Sequence, residues 1–158
     1  MTGGATVRDL TEDDLGWIAE REKEIFGASA WSARVIEADY AYGSTRYRGI
    51  EVDGELAGYA IYGFEGDAFH LMNLAVVPSA RGRGLGKALM DDFLAEAHRL
   101  GVDEACLEVA VTNEAALGLY RAYGFDDVRR RPRYYQPEDV DGVVMRLRLL
   151  PDDSRSGT

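Results

Sequence analysis

The chain has 158 residues, 46% of them hydrophobic and 29% charged, enough for one domain with a real core and too few for two. A formal charge of -10 sets nucleic acid and anionic lipid aside as primary ligands; it suits a basic partner, or it simply keeps the protein soluble. No apolar run is long enough to cross a bilayer, Met1 to Thr6 lacks the regions of a signal peptide, and Cys106, the single cysteine, can form no internal disulfide, so a cytoplasmic protein is expected.

Residues 1–5 and 151–158 read as flexible tails around one domain, 6–150. Thr6 to Leu10 is a strand candidate. Thr11, followed by Glu12, Asp13 and Asp14, starts a helix with a capping hydroxyl and acids in its first turn. Leu15, Ile18, Ala19, Ile25 and Phe26 roughly keep its period until Gly27 to Ala30 breaks it. A second helix runs from Trp31-Ser32 to Tyr40 with Ser32 as the cap. Tyr47 to Val52 and Leu56 to Phe64 flank Asp53-Gly54, the signature of a tight hairpin. Ala68 to Val77 is a strand closed by Pro78. Leu85, Leu89, Phe93, Leu94, Ala97 and Leu100 mark a helix that Gly101 ends. A strand at Ala105 to Val111, a helix at Asn113 to Tyr123, and strands at Phe125 to Arg130 and Val143 to Leu149 complete the chain. The order β-α-α-β-β-β-α-β-α-β-β predicts an α/β (α+β) domain. Its mixed, mostly antiparallel central sheet has six to seven strands, with helices on both faces.

Two basic islands stand out in an acidic chain: Arg81, Arg83 and Lys87, then Arg129, Arg130, Arg131 and Arg133. The first lies in a loop where Gly82, Gly84 and Gly86 alternate just before a helix. Glycines let backbone N–H groups approach an anion, and the helix start adds a positive dipole end, so the loop suits a pyrophosphate or is only a tight turn. The spacing G-x-G-x-G fails the dinucleotide fingerprint, and Lys87 followed by Ala88 fails the Walker pattern.

Arg-x-x-Gly-x-Gly after Leu74-Ala75-Val76-Val77 resembles the coenzyme-A loop of the GNAT acetyltransferases. Leu107-Glu108-Val109, Asn113, Ala116, Leu119-Tyr120 and Tyr123-Gly124-Phe125 extend the likeness. Phe26, Ala30-Trp31-Ser32 and the stretch from Arg131 to Met145 narrow it towards the RimI type, the ribosomal-protein-alanine N-acetyltransferases. The resemblance covers roughly residues 6–149. It implies acetyl-CoA as cosubstrate and no metal. Leu74, Ala75 and Val76 would offer backbone groups to the acetyl and pantetheine portion. Arg81, Gly82, Arg83, Gly84, Leu85, Gly86 and Lys87 would hold the pyrophosphate, and Asn113, otherwise a plain helix cap, would touch the cofactor. The acceptor implied is a protein N-terminal α-amine, alanine on a small-subunit ribosomal protein. Transfer is direct, in a ternary complex. The alternatives are a small amine or lysine side chain as acceptor, or a coenzyme-A-binding module without catalysis.

The resemblance gives Glu108 the role of base and Tyr120 that of proton donor to the departing sulfur. Glu108 interrupts an apolar strand, where desolvation is expected to raise its pKa towards a base's useful range; an exposed or arginine-paired glutamate is the plainer reading. Tyr120 read by periodicity alone is a core aromatic. Cys106 shares a strand face with Glu108 but is expected to be inert, and His70 and His98 are not expected to catalyse. Trp31, Tyr134 and Tyr135 are candidate walls of a peptide groove, or ordinary packing. The chain departs from the family at Ala110, where an arginine usually follows Leu-Glu-Val, and in a slightly longer segment after Phe26.

Overall fold

The computed structural model describes residues 4–149. Seven strands form one sheet in the order β1-β2-β3-β4-β5-β7-β6. They are β1 (Ala5–Asp9), β2 (Thr45–Val52), β3 (Glu55–Glu65), β4 (Ala68–Val76), β5 (Glu104–Ala110), β6 (Asp126–Tyr135) and β7 (Val140–Arg148). Helices α1 (Leu15–Phe26) and α2 (Ala33–Tyr42) connect β1 to β2. Helix α3 (Leu85–Leu100) crosses from β4 to β5, and α4 (Glu114–Ala122) leads from β5 to β6. Every neighbouring pair is antiparallel except β4 and β5, which the α3 crossover makes parallel.

Two cores lie on opposite faces of the sheet. Leu85, Leu89, Met90, Phe93 and Ala97 of α3 and Leu117 of α4 pack on Tyr62, Phe69, Leu71, Leu107 and Met145. Leu15, Ile18 and Ala19 of α1 and Ile36 of α2 pack on Tyr47, Tyr59, Ile61 and Ala75. This is the period-3.6 stripe of each helix meeting the period-2 face of the strands.

The local chemistry follows the sequence with some shifts. A 3-10 turn (Glu12–Asp14) precedes α1, and the Asp14 carboxylate accepts from the Thr11 N–H at 2.8 Å and from Arg8 at 3.0 Å. Ser32 caps α2 by accepting from the Val35 N–H at 3.1 Å. The first strand starts at Ala5, one residue inside the expected N-terminal tail; the rest of both tails, apart from Gly4, lies outside the described residues. The largest difference is β6, expected to stop at Arg130 and found to run on to Tyr135. Pro132 and Arg133 hid this continuation. The strand passes them through a register shift between Arg131 and Tyr135, with Arg133 at φ 55°.

At Gly58 of β3 an added Cβ would sit 2.7 Å from the Ala75 carbonyl oxygen of β4. Replacing Gly58→Ala is therefore expected to push β4 outward and cost about 1–3 kcal/mol, measured by urea unfolding. A variant as stable as the parent would show that the strands absorb the methyl.

Candidate active site

Strands β4 and β5 pair over only three positions, Phe69 with Ala105, His70 with Cys106 and Leu71 with Leu107. Beyond them β4 stays with β3 as far as Val76, and β5 stays with β7 as far as Ala110. The strands part, and a cleft of about 360 Å³ opens in the wedge. Leu74, Glu108, Asn113, Tyr120, Trp31 and Tyr135 all line it.

The parting also decides which backbone groups are free. The Val77 N–H donates to the Ala57 carbonyl at 2.8 Å, so the residues paired in register with it, Ala75 included, turn their amide groups to β3. By the alternation of a strand, Leu74 and Val76 turn theirs to the gap. Of the three residues implied for the pantetheine portion, Ala75 is thus held by the neighbouring strand. The Val76 carbonyl accepts from Arg81 Nε at 3.1 Å, which anchors that guanidinium beside the glycine loop.

In the loop, Gly82 and Gly84 have φ of 81° and 79°, a region a side chain would strain, with open space where each Cβ would be. Gly84 caps the sixteen-residue α3 without any side-chain bond, so the helix's first N–H groups have no side chain to satisfy them. An anion fits there. Lys87 is turned elsewhere: its Nζ lies 5.5 Å from the Tyr123 ring centre and 3.6 Å from Asp91. Asn113 accepts from the Ala116 N–H at 3.2 Å, so it is the cap of α4 as well as a wall of the cleft.

The Glu108 carboxylate is not the isolated base that burial alone would make. Its Oε1 lies 2.8 Å from His70 Nε2, and its Oε2 lies 3.8 Å from Arg131. The bond to His70 outweighs desolvation and holds the carboxyl below its ordinary range, contrary to the expected rise. His70, set aside on sequence, is 6% exposed, and its Nδ1 lies 2.9 Å from Glu65 Oε1. Burial would lower the imidazole's pKa, yet the bond to Glu108 and the charge of both carboxylates raise it. Tyr120 is 6% exposed; its hydroxyl lines the cleft with no hydrogen-bond partner among the described residues, and burial pushes its pKa up to about 12. Cys106 is pushed up to about 11 by burial, which keeps it a thiol. Of the aromatic walls, Trp31 and Tyr135 line the cleft, whereas Tyr134 is 45% exposed and packs edge-on against Tyr135.

Glu22 was not anticipated. It is 1% exposed, lines the cleft, and accepts from the Trp31 N–H at 2.9 Å, from Asn73 at 2.7 Å and from the Tyr59 hydroxyl. The available signal was its place on the apolar stripe of α1, between Ile18 and Ile25. For His70 the signal was a lone polar residue between Phe69 and Leu71 in a buried strand.

The model of the acetyltransferase (GNAT) family matches residues 6–125. The N-alpha-acetyltransferase RimI of Mycobacterium tuberculosis is 35% identical, over 92% of this chain and 93% of that protein. The ribosomal protein bS18-alanine N-acetyltransferase of Escherichia coli strain K12 is 32% identical, over 90% and 96% respectively. The crystal structure of the S18-alanine N-acetyltransferase from Escherichia coli superposes with a TM-score of 0.81, covering 95% of this chain and 98% of that one.

Glu22→Ala leaves three neutral donors facing an empty space, and the expected loss of stability is about 1–3 kcal/mol, the cost of leaving a buried donor unsatisfied. Denaturant unfolding checks it; a loss under about 1 kcal/mol would mean that water replaces the carboxylate.

Proposed function

The chain belongs to the GNAT family of acetyltransferases, and from that premise we propose that it acetylates the N-terminal α-amine of a ribosomal protein, one that begins with alanine. Acetyl-CoA-dependent N-acetyltransferase activity comes with the family. The finer reading rests on one observation: the wedge between β4 and β5 holds a carboxylate whose Oε2 has an ion-pair contact with Arg131 but no hydrogen bond among the described residues, and a phenol with no hydrogen-bond partner among them. The names of the relatives from Mycobacterium tuberculosis and Escherichia coli support the acceptor.

In this reading the backbone groups of Leu74 and Val76 and the loop from Arg81 to Gly86 hold the cosubstrate. The acceptor amine meets Glu108 Oε2, directly or through water, and gives up a proton there. Its nitrogen forms the new bond to the acetyl carbon as the carbon–sulfur bond breaks, and the Tyr120 hydroxyl protonates the departing sulfur. Burial keeps the Tyr120 phenol protonated, so it holds a proton that the departing sulfur can take. Transfer is direct, because a thiol at Cys106 held protonated is a poor relay for the acetyl group.

Tyr120→Phe is expected to lower kcat by roughly 10²–10⁴, the usual contribution of a general acid; an unchanged rate in a thiol-release assay removes Tyr120 from the mechanism. Because Glu108 stays ionised down to acid pH, the neutral limb of kcat/KM is expected to follow the free α-amine, rising through about 7.7–8.0. Peptides with an N-terminal alanine, the same peptides blocked, and blocked peptides with an internal lysine test the acceptor. Turnover of the blocked lysine peptides at comparable rate would sink the N-terminal assignment.

A further inference from the structure

Three acid–base groups lie in line across β3, β4 and β5: Glu65, His70 and Glu108. Glu65 is the last residue of β3, and its side chain is 69% exposed, outside the residues that line the cleft. The β3–β4 register puts His70 opposite Gly63 and Ala68 opposite Glu65, so Glu65 is the diagonal neighbour of His70 on one face. The imidazole is bonded through both nitrogens to carboxylate oxygens, at 2.9 Å and 2.8 Å. Ionised carboxylates only accept, so both contacts are hydrogen bonds only when both ring nitrogens carry protons. Other charged and titratable groups around the pair are Cys106 on β5 and Arg129, Arg131, Tyr134 and Tyr135 on β6.

We infer that Glu65 is a positioning residue that acts through His70, holding the ring cationic against Glu108 so that the cleft takes its acceptor as a free amine rather than as an ammonium. The inference rests on the acceptor reading proposed above. A lone ionised Glu108 would bind an ammonium and keep its proton in place. With the imidazolium on Oε1 and the Arg131 guanidinium near Oε2, that negative charge is already offset. An arriving cation gains little, and its proton is lost at lower pH. Glu108 does most to keep the 6% exposed ring charged, and Glu65 adds to it from the other ring nitrogen.

The chain has two histidines, so His98→Gln leaves His70 as the single imidazole signal in ¹⁵N NMR. In that background both ring nitrogens are expected to be protonated at pH 7. Glu65→Gln removes an exposed charge and is expected to lower the His70 midpoint by about half to one pH unit, a shift reduced by solvent screening. On an N-terminal peptide it lowers the acceptor KM near neutral pH, lowers kcat up to about tenfold, and moves the kcat limb up by a similar interval. The KM for acetyl-CoA stays put. An unmoved His70 midpoint overturns the inference, as does a moved midpoint with an unmoved kcat limb. A residue of structural importance alone would lower the melting temperature and leave both unchanged. If the parent enzyme turns over no peptide, the acceptor reading fails instead, and the limb is read on a small amine.

Discussion

The site depends on the shortness of the β4–β5 pairing. Parallel strands joined by a crossover helix usually run side by side, but here the ladder stops after Leu71 and Leu107. Each strand is then held by its other neighbour, β3 for β4 and β7 for β5. The backbone groups of Leu74 and Val76 are left facing an opening rather than a partner strand. Unpaired groups in a sheet interior are costly unless something satisfies them. Arg81 takes the Val76 carbonyl, and a cosubstrate with its own amides suits the rest. The same parting admits Glu108 from one side, and from the other Asn113 at the cap of α4 and Tyr120 in its last turn.

Once the wedge exists, charge decides what it does. A glutamate in an apolar strand would ordinarily be raised towards neutral pH by desolvation. Here His70 and Arg131 reverse the sign and hold the Glu108 carboxyl below its ordinary range. The two oxygens of Glu108 are also told apart: Oε1 is committed to the imidazole, and Oε2 lies 3.8 Å from the Arg131 guanidinium. Glu22 makes the complementary contribution, its carboxylate tying α1 to Tyr59, Asn73 and the Trp31 backbone.

Much of the fold was legible in the sequence because its signals are local. Asp53-Gly54, the Ser32 cap, Gly101 and the apolar stripes each act within a few residues, and their elements appear where expected. The half of the site proposed for the cosubstrate is local too, running from Leu74 through the glycine loop with Asn113 close behind. The misses share the opposite property. Glu22 and His70 matter through partners 51 and 38 residues away in sequence, Asn73 and Glu108, and no period or cap announces such a pairing. The sign of the Glu108 shift was lost for the same reason. Burial can be read from an apolar strand, but the cation that overrides it comes from another strand. β6 was cut short because Pro132 normally ends a strand, and only the partner β7 shows that the ladder resumes at Tyr135.

The side of the cleft proposed for the acceptor is assembled from such distant pieces. Ser29, in the turn after α1, donates to Glu138 at 2.8 Å across a separation of 109 residues, and both line the cleft. The departure at Ala110 belongs to this half. Ala110 pairs with Gly142, and Gly142 pairs with Arg131, so two small residues and one long cation share a row across β5, β7 and β6. With no long side chain at the first two positions, the Arg131 side chain has room to reach towards Glu108 while its guanidinium stacks 5.0 Å from the Tyr134 ring centre. Tyr134 and Tyr135 in turn lie where a Cβ on Gly142 would be, at 3.1 and 3.2 Å. A cation near Glu108 is thus supplied by the neighbouring edge strand, and the residues that make room for it are the same ones that seat the aromatic wall.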